Sequence, residues 1–303
     1  SDVCSSDLQR LHMVLRTFAI LASLFLGSCT AAPEAGTTQL KAASLEELGA
    51  QLLSLEPDVD RFKVRGPFPV VVRNNIELRL LGPDRIVRGD LFLASPAGKA
   101  PLVILLHGYD NSKEDHGYQA MHLASWGLHA LALQLPNKGP WVGNGILLAR
   151  VARLLQARPE LLDSRIDPSR IILAGHSFGA SSVAIALAEG APAIGAVLRD
   201  PAGATRTVPL YLRRIRTPVM SLTSDERVTL TRNRGFFYLY IPNDIATVSI
   251  TNAAHEDAQF PLEKSSSAVE SESQPVEEHQ ITYVSALTVA ALSFGVTGNR
   301  SEE

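Results

Sequence analysis

Between residues 101 and 251 the chain alternates nearly uninterrupted apolar runs with stretches of helical spacing, and this alternation limits the possible folds most. The runs are PLVILLHG (101–108), GLHALALQLP (127–136), IILAG (171–175), AIGAVLRD (193–200), PVMSLTS (218–224) and ATVSIT (246–251). A strand with one wet face alternates apolar and polar residues, so a continuous apolar run reads as a strand covered on both faces. Helical patterns fall between the runs, around 115–126, at ILLARVARLLQ (146–156) and at SSVAIALAEG (181–190). Strands that alternate with helices specify a mostly parallel sheet with helices on both faces, an α/β class.

The rest of the chain fits one domain over 44–303. Residues 44–55 have helical apolar spacing with Ser44 as a candidate N-cap. Short β-type segments follow at FPVVV (68–72), IELRLL (76–81) and IVRGDLFLA (86–94), separated by Asn and Gly-Pro turn signals. A polar insert at 263–278 precedes ITYVSALTVAALSFG (281–295), which is short for a membrane span, carries Ser and Thr, and reads as a packed helix. With 46% hydrophobic and 19% charged residues the chain can bury a large core, and a formal net charge of −3 gives no reason to expect nucleic acid as a partner. No internal repeat and no zinc-type Cys/His spacing is present.

The N-terminal segment reads as a targeting signal. From Met13 the sequence MVLRTFAILASLFLGSC places a basic residue, a short apolar stretch and small residues before Cys29. LGSC resembles the lipobox of bacterial lipoproteins, which implies lipidation at Cys29 and a lipid-anchored protein of the cell envelope. An ordinary signal peptide, giving a periplasmic or secreted protein, is the alternative. Residues 1–12 fit no signal pattern and read as extraneous, and 30–43 read as a tether. The two cysteines, Cys4 and Cys29, both fall in this segment, so the domain contains no thiol with which to form a disulfide.

ILAGHSFGASS (171–181) holds a Gly-x-Ser-x-Gly around Ser177. The pattern alone occurs by chance in about one chain in ten of this length. Here it follows a buried strand and opens a helix, the context that gives it meaning: small residues at 175 and 179 let the chain turn sharply, and the helix N-terminus offers backbone N–H groups to a developing negative charge.

From these residues the chain resembles the α/β-hydrolases over about residues 68–295. Within them it is similar to the group containing bacterial cutinases, chlorophyllases and platelet-activating-factor acetylhydrolases, through LLHGYDNSKEDHGYQAMHLASWGLHALALQLP (105–136), GHSFGA (175–180) and NAAHED (252–257). The resemblance implies a serine esterase without metal or organic cofactor. Ser177 would be the nucleophile and His255 the base. The oxyanion donors would be the N–H groups of Tyr109 and Phe178. His255 follows a strand late in the chain, as the order of hydrolase residues requires. His176 is the variable residue of the turn and reads as uninvolved, His107 as structural, and His116, His122 and His129 as surface or satisfied core groups on or near helices. His279 lies beside the polar insert and His12 outside the domain.

The acid has two candidates. Asp200 ends a strand and precedes Pro201 and Ala202, which resembles the acid position of chlorophyllases, acetylhydrolases and pancreatic-type lipases. Asp225 ends the next strand, which resembles that of cutinases and dienelactone hydrolases. The reading leans to Asp200. Asp225 has Arg227 as another partner, and Glu226 is a weaker third candidate. Trp141 could line an acyl or alcohol pocket or anchor its loop. No long insertion resembles a lid. The expected substrate is a small-molecule or polymeric ester, met by a monomer that touches membrane only through its lipid. An amidase or peptidase, an acyltransferase, and a non-catalytic surface lipoprotein on the same scaffold are the rivals.

Overall fold

The computed structural model describes residues 42–54, 60–80, 86–96, 98–225, 235–262 and 278–297. Cys29, the signal and most of the tether fall outside these residues, as do Glu226, Arg227 and nearly all of the polar insert. The described strands are β1 (Val70–Arg79), β2 (Ile86–Ala94), β3 (Ala100–Leu106), β4 (His129–Gln134), β5 (Ile166–His176), β6 (Gly195–Arg199), β7 (Val219–Thr223) and β8 (Asp244–Ser249). They form one sheet in the order β1-β2-β4-β3-β5-β6-β7-β8. Both pairings of β2 are antiparallel, and all others are parallel.

Helices cover both faces. On one face α3 (Trp141–Ala157), α4 (Phe178–Ala188) and α5 (Val208–Leu212) bury Leu148, Val183, Ile185 and Leu212 against strand residues such as Ile104, Leu106 and Leu173. On the other, α1 (Leu45–Ser54), α2 (Gly117–Ser125) and α7 (Glu278–Thr297) bury Leu48, Leu123, Leu287 and Phe294 against Val103, Leu105 and Ile172. A sixth helix in chain order, α6 (Gly235–Tyr240), adds Phe237 to the first core. Every residue of β3 is buried, which is why its sequence shows no period-two alternation. Tyr283, Val284, Leu287 and Ala290 of α7 are inaccessible, so this apolar segment packs on the sheet. Among the described residues no helix is long and apolar enough to cross a membrane.

One sequence expectation is corrected. Asn74 and Asn75 read as a turn between two strands, but β1 runs through them as one strand of ten residues. The register against β2 shifts between Arg73 and Ile76, and Asn75 takes φ 54°. The Asp90 carboxylate on β2 accepts the Asn75 N–H at 2.7 Å, so a side chain replaces the ladder bond lost at the irregularity. Asparagine tolerates this left-handed conformation, and here it marks a bulge.

The strand order reverses at the centre. From β3 the chain moves outward to β4, then returns past β3 to β5 and continues to β8. The C-terminal ends of β3 and β5 therefore diverge into their next segments on opposite sides, leaving a crevice of the kind in which open α/β sheets bind ligands.

Candidate active site

β5 delivers His176 and Ser177 to that crevice, and α4 begins at Phe178. Ser177 has φ 54° and ψ −122°, a strained conformation for a residue with a Cβ, costing on the order of 1–3 kcal/mol. Its surroundings hold it there. The Ser177 N–H donates to Arg199 O at 3.0 Å, and its carbonyl accepts from Ala202 N at 3.2 Å and Ala180 N at 3.0 Å. A Cβ at Gly179 would lie 2.2 Å from His107 O, and one at Gly175 would lie 2.6 Å from Gly179 O. Both glycines are needed because backbone meets backbone, and the turn after β3 is thereby pressed against the serine.

That turn is residues 107–110. A Cβ at Gly108 would approach Ser177 Cβ to 2.9 Å, so Tyr109 follows directly beside the nucleophile candidate. His107 is buried, with Nδ1 placed to donate to Gly108 O at 3.0 Å and Nε2 accepting the Leu135 N–H at 3.2 Å. Burial lowers its pKa, which keeps it neutral. Asp110 takes φ 58° and donates its N–H to Asn137 O at 2.9 Å. Phe178, as the first residue of α4, has no carbonyl one turn earlier for its N–H to bond. The Phe178 ring meets Tyr109 and Trp141 edge-on, at centroid distances of 6.2 and 5.4 Å. Tyr109 is half exposed at 52% and Trp141 is buried at 6%. The Trp141 carbonyl also accepts the Ser182 hydroxyl at 2.9 Å, tying α3 to α4.

His255 sits in the loop after β8, and its Nδ1 bonds Oδ2 of Asp200. Asp200 is inaccessible, takes φ 38°, and accepts the Ser224 N–H on Oδ1 at 3.0 Å. Since the carboxylate is thus held by backbone on one oxygen, its other oxygen has a fixed position at the imidazole. The Asp200-Pro201-Ala202 segment is fastened to α4, where the Ser181 hydroxyl bonds Ala202 O and accepts the Ala204 N–H at 3.2 Å.

Asp225 has a different place. Its Oδ2 accepts the N–H of Asn252 at 2.9 Å, and its own N–H donates to Ala253 O at 3.0 Å. Asp257 accepts the Ala254 N–H at 2.8 Å. These two carboxylates brace the NAAHED loop, whose Asn252 has φ 60°. The structure brings Asp200 to the His255 ring and Asp225 to the backbone three residues before it.

Sequence reasoning sets His176 aside, yet its ring lies against His255 with centroids 4.5 Å apart, and its Nε2–H donates to His255 O at 3.0 Å. Burial, then the neighbouring His255 and Arg199, push its pKa well down, so it acts as a neutral donor. No residue type marks this role, because the middle position of the turn accepts many side chains. His129, read as on or near a helix, opens β4 instead. It is a core group whose Nδ1 accepts Ala94 N–H at 3.2 Å and whose Nε2 faces Arg165 O at 3.3 Å. His122 lies on α2, with Nε2 3.0 Å from Val64 O. Among the described residues no group of three or more His, Cys, Asp or Glu could hold a metal ion.

An eight-stranded, mostly parallel sheet with a serine on a strained strand-to-helix turn defines an α/β-hydrolase scaffold. The chain belongs to that family: the model described as "Alpha/beta hydrolase family" matches residues 103–272, more than half of its length. No curated protein matches it.

Proposed function

We propose that this protein hydrolyses carboxylic esters through an acyl-enzyme, with Ser177 as nucleophile, His255 as base and Asp200 as acid. The observation that carries this reading is the bond from Asp200 to His255 Nδ1, made beside a serine held at positive φ. A carboxylate that accepts at Nδ1–H leaves the Nε2 lone pair as the basic site of the ring. His255 Nε2 takes the Ser177 proton as Oγ attacks the carbonyl carbon, and the oxyanion forms between the N–H groups of Tyr109 and Phe178. The imidazolium returns its proton to the leaving alkoxide, the alcohol departs, and water repeats the sequence on the acyl-enzyme. Fixed backbone donors of this kind are worth about 10²–10³ in rate each.

Aromatic rings at Tyr109, Phe178 and Trp141 favour an apolar acyl or alcohol group beside Ser177. The test is labelling by a fluorophosphonate probe together with hydrolysis of p-nitrophenyl esters of graded acyl length, a polyester film and matched anilides. Ester turnover that Ser177→Ala abolishes along with labelling supports the reading. Turnover of anilides in preference to esters moves the protein to the amidases, and an unlabelled, inactive wild type makes it a non-catalytic scaffold.

We propose further that the chain is exported and anchored by lipid at Cys29, on the resemblance of LGSC to a lipobox. In a bacterial host the wild type is then expected in the membrane fraction with the mass of added lipid, and Cys29→Ser in neither state. An unmodified, soluble wild type overturns this.

A further inference from the structure

Arg199 is the last residue of β6 and is completely inaccessible. It pairs in register with His176 on β5, so both side chains leave the sheet on the face covered by α2 and α7. Its Nη1 is fully used: it donates to Gln119 Oε1 and to Ala258 O at 3.1 Å, and lies 3.3 Å from His116 Nδ1. Its Nε and Nη2 have no acceptor among the described residues. Nor does any described carboxylate make an ion pair with it; the adjacent Asp200 spends its oxygens on Ser224 N–H and His255.

The Nε and Nη2 groups are the side-on fork of a guanidinium, the edge that grips an anion with two parallel N–H bonds. Burying a cation without a counter-charge costs several kcal/mol, and proteins avoid it. We propose that the Nε/Nη2 edge of Arg199 binds one small monovalent anion of the halide class. Water could occupy the same edge, but only an anion also neutralises the charge.

Burial lowers the Arg199 pKa to about 9, which still leaves a cation at neutral pH. The neighbouring imidazoles respond to the same charge. His116 donates Nδ1–H to Gln119 Oε1 at 2.9 Å, so its buried Nε2 is a lone pair without a partner among the described residues, and Nδ1 of His176 is in the same position. Burial, with Arg199 as a further cause, holds both pKa values well down. An anion at Arg199 offsets that repulsion. The charged and titratable groups facing this network are His107 from the turn after β3, Glu114, Asp115 and His116 from the turn before α2, His176 from β5, Arg199 from β6 and Asp200 directly after it, His255 from its loop and Tyr283 from α7.

This inference does not depend on the hydrolytic reading, and its test uses no substrate. Crystals of the wild-type protein soaked in sodium bromide are expected to show an anomalous peak within hydrogen-bonding distance of Arg199 Nε and Nη2. In solution the thermal midpoint of the wild type is expected to rise and saturate with sodium bromide relative to sodium gluconate at equal ionic strength, and that difference is expected to vanish in Arg199→Met. A bromide-soaked crystal with water at the guanidinium edge and no anomalous peak overturns the proposal, whether or not Arg199→Met folds. So do bromide and gluconate curves that coincide for the wild type.

Discussion

The Asp225 carboxylate accepts the backbone N–H of Asn252 at 2.9 Å, and this bond commits it to the loop that carries His255 instead of to the imidazole. Asp200 makes the contrasting bond, directly to His255 Nδ1. The two aspartates end neighbouring strands, and a sequence reading cannot tell which one touches the ring.

Their asparagine variants should therefore separate cleanly. Asp200→Asn presents an amide where the imidazole needs an acceptor, so kcat is expected to fall about 10⁴-fold with KM little changed. Asp225→Asn keeps an oxygen that can accept the Asn252 N–H, and is expected to cost about 1 kcal/mol of stability and little activity. Steady-state kinetics and denaturant melts on both variants check this, and a severe loss in Asp225→Asn would reverse the assignment.

The Gly179 position tests how the elbow is built. A methyl group there meets His107 O at 2.2 Å and Leu106 O at 2.8 Å, and neither is a flexible side-chain end. Gly179→Ala must push α4 away from the turn after β3. The expected loss is about 2–3 kcal/mol of stability, with activity falling further than the folded fraction because the Tyr109 N–H moves relative to Ser177. Activity per folded molecule, measured beside a denaturant melt, distinguishes this from simple destabilisation.

How much of this is legible in the sequence differs by element. β3 and the second half of β5 are plain because burial on both faces leaves an unbroken apolar run, whereas the polar, partly exposed start of β5 at 167–170 carries no such signal. The turn at Ser177 is plain because its glycines answer a backbone contact that any fold of this type imposes. The long β1 reads as two strands because Asn75 carries a turn-like residue into a bulge that only its partner Asp90 on β2 explains. His176, Asp225 and Arg199 find their partners 27 to 83 positions away in sequence, to which no local pattern points.

His176 should act as a positioning residue. His176→Phe keeps a ring against His255 but removes the donor to its carbonyl, leaving a buried acceptor that costs about 1–3 kcal/mol. A loosened His255 loop should lower kcat by about 10- to 100-fold while KM stays close to that of the wild type. His176→Gln, whose amide can donate, is expected to recover part of kcat. Equal effects of both variants on stability, with kcat untouched, would reduce His176 to packing.

Acid should destabilise the protein well above the carboxylate range. Burial lowers the pKa of His122 and of His129 from 6.5 to about 4, and the Ala94 N–H donated to His129 Nδ1 is lost once that nitrogen is protonated. A histidine with a lower pKa when folded binds fewer protons than it does unfolded. Its contribution is therefore fully present above pH 6.5 and is lost as the pH falls towards 4, by on the order of 3 kcal/mol for each ring. Asp244 works in the opposite direction, since burial raises its pKa from 3.8 to about 6 and its protonation favours the folded state below that value. It is one partly exposed group against two inaccessible rings, so the histidines prevail. The thermal midpoint is expected to fall steadily from pH 6.5 to 4. His129→Asn, which offers an uncharged acceptor to Ala94 N–H, should flatten that slope by roughly half even if it lowers the midpoint at pH 7. A midpoint that stays level or rises between pH 6.5 and 4 would mean that these rings are protonated in the folded protein.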